Sequence, residues 1–441
     1  LDKLTGITYP GGSRVNYSYS NQGVIEAITV SAVNPNGSGL QTATAHLGSV
    51  TYTVDGQAQG WVWADGSNRT IGYDAYGQIA SYTLGAPNGT GTMAGSLRAV
   101  SRDAAGRISG FTHTNNGSPV TSLDQTFGYD ELNRLVQVTA QAAGATTYTY
   151  DANGNRTARS VNGTTYTNII SATSNQLTQV QDAQGTATVA HDAAGNVTGV
   201  GTATYTYSDR GRMEAANAGA GTISFAYNGL EQRALKRTQT GERHYIYDEQ
   251  GQLLGEYDSD GNPVHETIYL DTTPVGVIKQ TGTAGSNSIA VSVYNVYADH
   301  LYTARIITNQ SQQTVWRWDT AEAFGASAPD DNPSGLGPFT FNQRFPGQVF
   351  DAETGLNQNW NREYDAGVGR YRQSDPIGFA GGINTFTYAD GDPLSKSDAT
   401  GLFVRPNRPG ADSQFSPRSD MCAATPYDNA NKKCQAECLF E

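Results

Sequence analysis

Two aspartates near the C-terminal end of the chain are the residues best able to do chemistry together. Asp375 precedes Pro376, and Asp398 opens the run Asp398-Ala399-Thr400-Gly401-Leu402. They stand 23 residues apart, flanking a Gly-rich, aromatic connection from Phe379 to Tyr388 that could fold them back on each other. Two carboxylates sharing a site cannot both ionise freely, so one pKa rises and the pair holds one proton. One Asp can then activate water while the other polarises a peptide carbonyl. That is peptide hydrolysis without Ser, Cys or metal. Each Asp alone has a plainer reading as a turn, in which Asp bonds locally, Pro presets φ and Gly completes the reversal. The pairing raises the catalytic reading. The residues themselves do not assign acid and base, because such a pair titrates as a unit.

Other reactive side chains carry less. Cys422, Cys434 and Cys438 all fall within the last 20 residues, and the preceding 421 have no cysteine. No disulfide or thiolate-metal site can therefore support the body of the chain. Cys434 and Cys438 would share a helical face, but one short Cys pair is a weak zinc motif. His300 lies beside Asp299 without a Ser or Cys nucleophile in a recognisable elbow, and reads as structural. Trp316 and Trp318 alternate with Arg317 along a strand-like run, which is hairpin packing. No metal and no cofactor is expected.

The elements that must position the two aspartates are repeats. The unit is aromatic-x-Tyr-Asp, a short polar stretch often with Gly, then Arg, Gln or Asn and an aliphatic residue. It appears around Tyr73-Asp74, Asp103, Tyr129-Asp130, Tyr150-Asp151, Asp192, Tyr207 and Tyr247-Asp248. Anchors at 130, 151, 192, 208, 228 and 248 are spaced 21, 41, 16, 20 and 20, a period near 20 with one gap fitting two degraded units. Alternating aromatic and polar residues make a strand with one buried face. The Asp-to-Gly stretch supplies a turn, with Asp bonding its own backbone. One such hairpin cannot bury its own face, so hairpins must add side by side into a long sheet. Calcium ligation by these aspartates is disfavoured, because they are single and too widely spaced.

Composition agrees. Only 37% of residues are hydrophobic while Gly reaches 51 and Tyr 25, a mix suited to many short strands rather than a helical bundle. The charged fraction of 16% is too low for a solvating disordered chain. The net charge of −13 belongs to the first 402 residues, since the last 39 hold five basic and five acidic residues. An acidic body repels nucleic-acid phosphates and anionic lipid. No apolar run is long enough to span a membrane as a helix. The opening Leu1-Asp2-Lys3 reads as the start of a fragment, so the lack of a signal peptide carries little weight.

The Tyr-Asp units resemble the YD repeats of Rhs proteins, of the C components of insecticidal toxin complexes and of teneurins. From Arg344 to Leu402 the chain is also similar to the Rhs-associated core: Phe345-Pro346-Gly347-Gln348, Asp351, Glu353-Thr354-Gly355-Leu356, Tyr364-Asp365, Gly369-Arg370, Asp375-Pro376-Ile377-Gly378, Gly381-Gly382, Asn384, Tyr388 and Asp398-x-x-Gly401-Leu402. The resemblance implies an all-β fold in which YD hairpins spiral into a cocoon-like shell closed by that core. It further implies that Asp375 and Asp398 form an autoproteolytic dyad cutting after Leu402, so that Phe403 begins the released part. The expected domains are a shell segment at 1–343, the core at 344–402, and a linker with the start of a variable toxin region at 403–441.

Some positions depart from the family pattern. Ala399 replaces the usual Pro, and Asp392 replaces an Asn, adding with Asp390 further carboxylates near the site. Asp299-His300-Leu301-Tyr302 carries Tyr where Gly is usual, which puts that turn in doubt. The implied partners are the chain's own encapsulated C-terminal toxin polypeptide, a secretion apparatus such as type VI, and a cognate immunity protein. The implied location is secreted or delivered into a target cell. Two rival readings are an extracellular adhesion or carbohydrate-binding protein and a structural shell whose dyad is inactive.

Overall fold

The computed structural model describes residues 3–89, 95–219, 221–282, 287–319 and 322–406. The repeat unit explains most of it. At Tyr129-Asp130 the strand Gln125–Tyr129 ends and Leu135–Ala140 returns beside it. Between them Asp130 Oδ1 accepts hydrogen bonds from the amides of Leu132 (3.0 Å) and Arg134 (2.9 Å), and Oδ2 accepts from Arg134 Nε at 2.7 Å. Asp151 repeats the pattern with the amides of Asn153 and Asn155. These carboxylates are thus consumed by their own turns. Asn228 makes the same turn without a charge, and Ser208 closes an equivalent one through its backbone. The widest gap in the repeat hides a turn in which the Ser171 amide reaches the Gln176 carbonyl at 2.8 Å.

The recurrent Tyr has a second duty. Register shifts at each of these tyrosines, where the strand bulges before its turn. The Tyr hydroxyl then donates to the first carbonyl of the preceding hairpin's return strand: Tyr129 to Ile108, Tyr150 to Leu135, Tyr207 to Val197, Tyr227 to Met213 and Tyr247 to Arg233, at 2.8–3.0 Å. Each unit is therefore stitched to its neighbour, and a sheet grows by addition.

The result, among the described residues, is a 29-stranded antiparallel sheet from Gly6–Thr8 to Thr314–Arg317, almost entirely a meander of chain neighbours. Early strands pack face to face on late ones. The Trp63 indole donates to the Val275 carbonyl at 3.1 Å and the Tyr9 hydroxyl to that of Thr267 at 2.8 Å. Tyr9, Trp63, Ile268, Val275 and Tyr297 share one core there. Among the described residues the first and last strands do not pair with each other, so hydrogen bonds do not close the sheet into a ring.

A second, four-stranded sheet follows: Gln348–Asp351, Leu356–Asn359, Arg362–Asp365 and Arg370–Tyr371. It is almost wholly buried against the long sheet. Asp351 accepts from both Arg233 and Lys236, and Arg156 donates to the Gly367 carbonyl at 2.7 Å. Trp316, in the last strand of the long sheet, packs on Phe341, and Trp318, just after that strand, packs on Phe345. His300 is buried, with Nε2 at 2.7 Å from the Leu394 carbonyl and Nδ1 at 3.2 Å from the Tyr82 hydroxyl, a structural role. The turn at Asp299 forms although Tyr302 occupies the glycine position, with φ +63°. No helix among the described residues is long and apolar enough to cross a membrane.

Candidate active site

Asp375 leaves the last strand of the small sheet through Tyr371, and its amide donates to the Thr385 carbonyl at 2.9 Å. Its Oδ1 accepts the Ile377 amide at 3.1 Å, the local turn that Asp-Pro predicts. Asp398 arrives from the other side, after the short strand Lys396–Ser397, and is fully buried. Asn359 Nδ2 fixes its backbone carbonyl at 2.8 Å. The two carboxylates meet on one side chain: Arg362 Nη2 lies 3.0 Å from Asp375 Oδ2 and 3.1 Å from Asp398 Oδ2.

Arg362 is itself held by carbonyls. Its Nε donates to Gly401 at 2.5 Å and Nη1 to Thr385 at 3.0 Å, and its guanidinium stacks 3.7 Å from the Tyr371 ring centroid. The Tyr371 hydroxyl donates to Asp398 Oδ2 at 2.9 Å. Asp398 Oδ1 takes the amides of Leu402 at 3.0 Å and Phe403 at 3.2 Å. The nitrogen of the Leu402–Phe403 peptide bond therefore faces Asp398. Its carbonyl oxygen lies on the Asp375 side: a Cβ on Gly381 would overlap Asp375 Oδ2 and stand 3.0 Å from the Leu402 oxygen.

Burial pushes the Asp375 carboxyl up to about 6 against the pull of Arg362, and repulsion from Asp398 is a minor cause. Burial also raises Asp398, opposed by Arg362, Tyr371 and the two amides. The mutual repulsion expected from two bare carboxylates is thus largely relieved by the guanidinium between them. Asp375 is 6% exposed and Asp398 0%, so Asp375 is the member nearer solvent.

Several supporting residues were not singled out by the sequence. Arg362, Tyr371, Asn359 and Asn361 form the cradle, and Asn361 donates through its amide and Nδ2 to the Thr400 carbonyl. Gly347 lets the loop approach, since at φ +78° any Cβ would run into the Ala399 carbonyl. Ala399 lies between Asp398 and Thr400, whose carbonyls are held by Asn359 and Asn361. The extra carboxylates point elsewhere. Asp390 pairs with Lys396 Nζ at 2.9 Å on the surface, and Asp392 lies within electrostatic reach of Tyr129. Cys422, Cys434 and Cys438, and all of 407–441, lie outside the described residues.

The teneurin YD-shell family model matches residues 46–387. The toxin protein Tse5 of Pseudomonas aeruginosa is 36% identical over 108 residues, covering 24% of this chain and 8% of that protein. The tRNA nuclease WapA of Bacillus subtilis is 24% identical over 373 residues, covering 81% of this chain and 15% of that protein. Among solved structures, the TcdB2–TccC3 complex superposes on 90% of this chain and 21% of the matched chain, with TM-score 0.69 and 17% identity. The chain thus spans a fraction of the length of each of these proteins.

Proposed function

The chain belongs to the teneurin YD-shell family of toxin-associated Rhs/YD-repeat proteins, and from that premise we propose that it is a shell segment that cuts itself once, after Leu402. The carrying observation is that two buried aspartates bracket that one peptide bond, Asp398 on its nitrogen and Asp375 on the side of its carbonyl. In this reading Asp375, the carboxyl raised to about 6, holds the proton and polarises the Leu402 carbonyl. Asp398, raised by burial but with four donors favouring its anion, is the member that takes a proton from the attacking water. That proton then passes to the Phe403 nitrogen as the C–N bond breaks. The Leu402 carbon keeps the water oxygen as a carboxyl group, and Phe403 becomes a new N-terminus. Arg362 lets two carboxylates be buried side by side.

The wider reading is a polymorphic toxin. The long sheet would enclose the polypeptide that follows Leu402 and keep it from its producer, as a cocoon. A secretion apparatus and an immunity protein would complete the system. The similarity to Tse5 supports the toxin association.

A second reading is a structural shell without cleavage, favoured by one observation. Arg233 and Lys236 clamp the buried Asp351 in the same manner with no bond to cut, so this chain also uses such clusters purely for packing. Intact mass of the denatured protein separates the two. Fragments of 402 and 39 residues, the shorter beginning at Phe403, support self-cleavage, whereas a single 441-residue species supports the shell alone.

A further inference from the structure

Beside the bond lies a cavity of about 130 Å³ that Phe403 and Arg405 border, together with Leu301, Phe345, Val349 and Trp360. Gln348 also lines it. That side chain is 2% exposed, and among the described residues neither its amide nitrogen nor its oxygen has a hydrogen-bond partner. Beyond Phe403 the chain does not leave: Ser397 pairs with Arg405 and Lys396 with Pro406, as a two-residue antiparallel strand against the approach to Asp398.

We propose that this is a product site, a receptor for an aromatic peptide N-terminus made by the cut itself; the inference rests on the self-cleavage proposed above. Hydrolysis adds one water. The Leu402 carbon gains hydroxyl, the Phe403 nitrogen gains hydrogen, and a proton passes from the new acid to the new amine. A neutral peptide unit becomes a carboxylate and an ammonium. Each is born beside its complement. The ammonium forms where the Phe403 nitrogen already stands 3.2 Å from Asp398 Oδ1. The carboxylate forms on the Asp375 side, facing the proton that Asp375 holds in this reading, and follows Gly401, whose carbonyl Arg362 already holds at 2.5 Å. Full ion pairing replaces hydrogen bonds in which only one partner was charged. The strand pairing and the apolar cavity add register and area, the mode by which added strands are captured elsewhere. The cut thus exchanges a covalent tether for an ionic one, and the released polypeptide stays moored by residues 403–406.

The test uses the whole self-cleaved protein under native conditions. Acetic acid N-hydroxysuccinimide ester is applied, and the Phe403 α-amine is followed by peptide mass. Protection of at least tenfold relative to the denatured protein is expected. In parallel, the peptide amide Phe-Val-Arg-Pro should displace the 39-residue fragment's N-terminus and expose it to the reagent, while its N-acetyl form should be at least tenfold weaker. An α-amine that acetylates freely while the fragment remains bound, or equal competition by both peptides, overturns the product site and leaves self-cleavage intact. A chain that is never cut overturns both.

Discussion

Arg362 touches Asp398 twice over: directly, Nη2 to Oδ2 at 3.1 Å, and through the Tyr371 ring it stacks upon, whose hydroxyl reaches the same oxygen at 2.9 Å. With Asp375 on the same nitrogen, one cation serves two buried carboxylates. Removing it should be felt both in stability and in proton affinity. Arg362→Gln is expected to cost about 3–5 kcal/mol, the usual penalty for orphaning a buried ion-pair partner. It should also leave both aspartates protonated and the chain uncut. Urea denaturation together with intact mass checks both outcomes.

Self-cleavage should depend on pH in a defined direction. Asp375 must carry its proton and Asp398 must not. Burial raises Asp375 to about 6, so its protonated fraction falls as pH climbs through that value. The rate should then drop about tenfold per pH unit on the alkaline side, and should also fall in acid as Asp398 protonates. Refolding denatured precursor at a series of pH values, with mass time courses, measures this. The same group makes the fold less stable as pH rises from about 4 to about 6, because the folded state binds that proton more tightly than the unfolded one.

Gly347 is predicted to matter more for cutting than for folding. Gly347→Ala adds a Cβ that collides with the Ala399 carbonyl at a left-handed φ. The loop carrying Asp398 must shift by about an ångström or more. A loss of about 1–3 kcal/mol is expected from the strained backbone, with self-cleavage slowed at least tenfold and β circular dichroism retained.

The stitching of the shell makes a separate prediction. Tyr150→Phe deletes only the hydroxyl that reaches the Leu135 carbonyl at 2.8 Å. It should cost about 0.5–1.5 kcal/mol and leave self-cleavage at its ordinary rate. Denaturant midpoints and mass spectra from one preparation decide the matter.

The hairpin sheet was legible because its signals are local. Tyr, Asp and Gly at fixed offsets specify a strand end and turn whatever surrounds them, so even the degraded unit at Ser171 fell where the spacing left room for it. The Tyr ladder was not legible, because its acceptor is a main-chain carbonyl that carries no residue identity. The aspartate pair could be named from spacing and resemblance, but its cradle could not. Arg362 is one of 28 basic residues, and only the crossing of Leu356–Asn359, Arg362–Asp365 and the loop after Ser397 sets it apart. The expected repulsion between the aspartates was overstated for the same reason: the sequence does not show the cation that lies between them. How the early strands meet the late ones depends on contacts between residues more than 200 positions apart, as in Tyr9 with Thr267, for which no local pattern exists.

The most direct measurement is intact mass of denatured wild type beside Asp375→Asn and Asp398→Asn, each first shown by circular dichroism to keep its β structure. Wild type is expected to divide after Leu402 and both variants to remain whole. Wild type found uncut, or either folded variant dividing at the same bond as readily, would contradict self-cleavage by this pair and leave Arg362, Asp375 and Asp398 as a packing cluster.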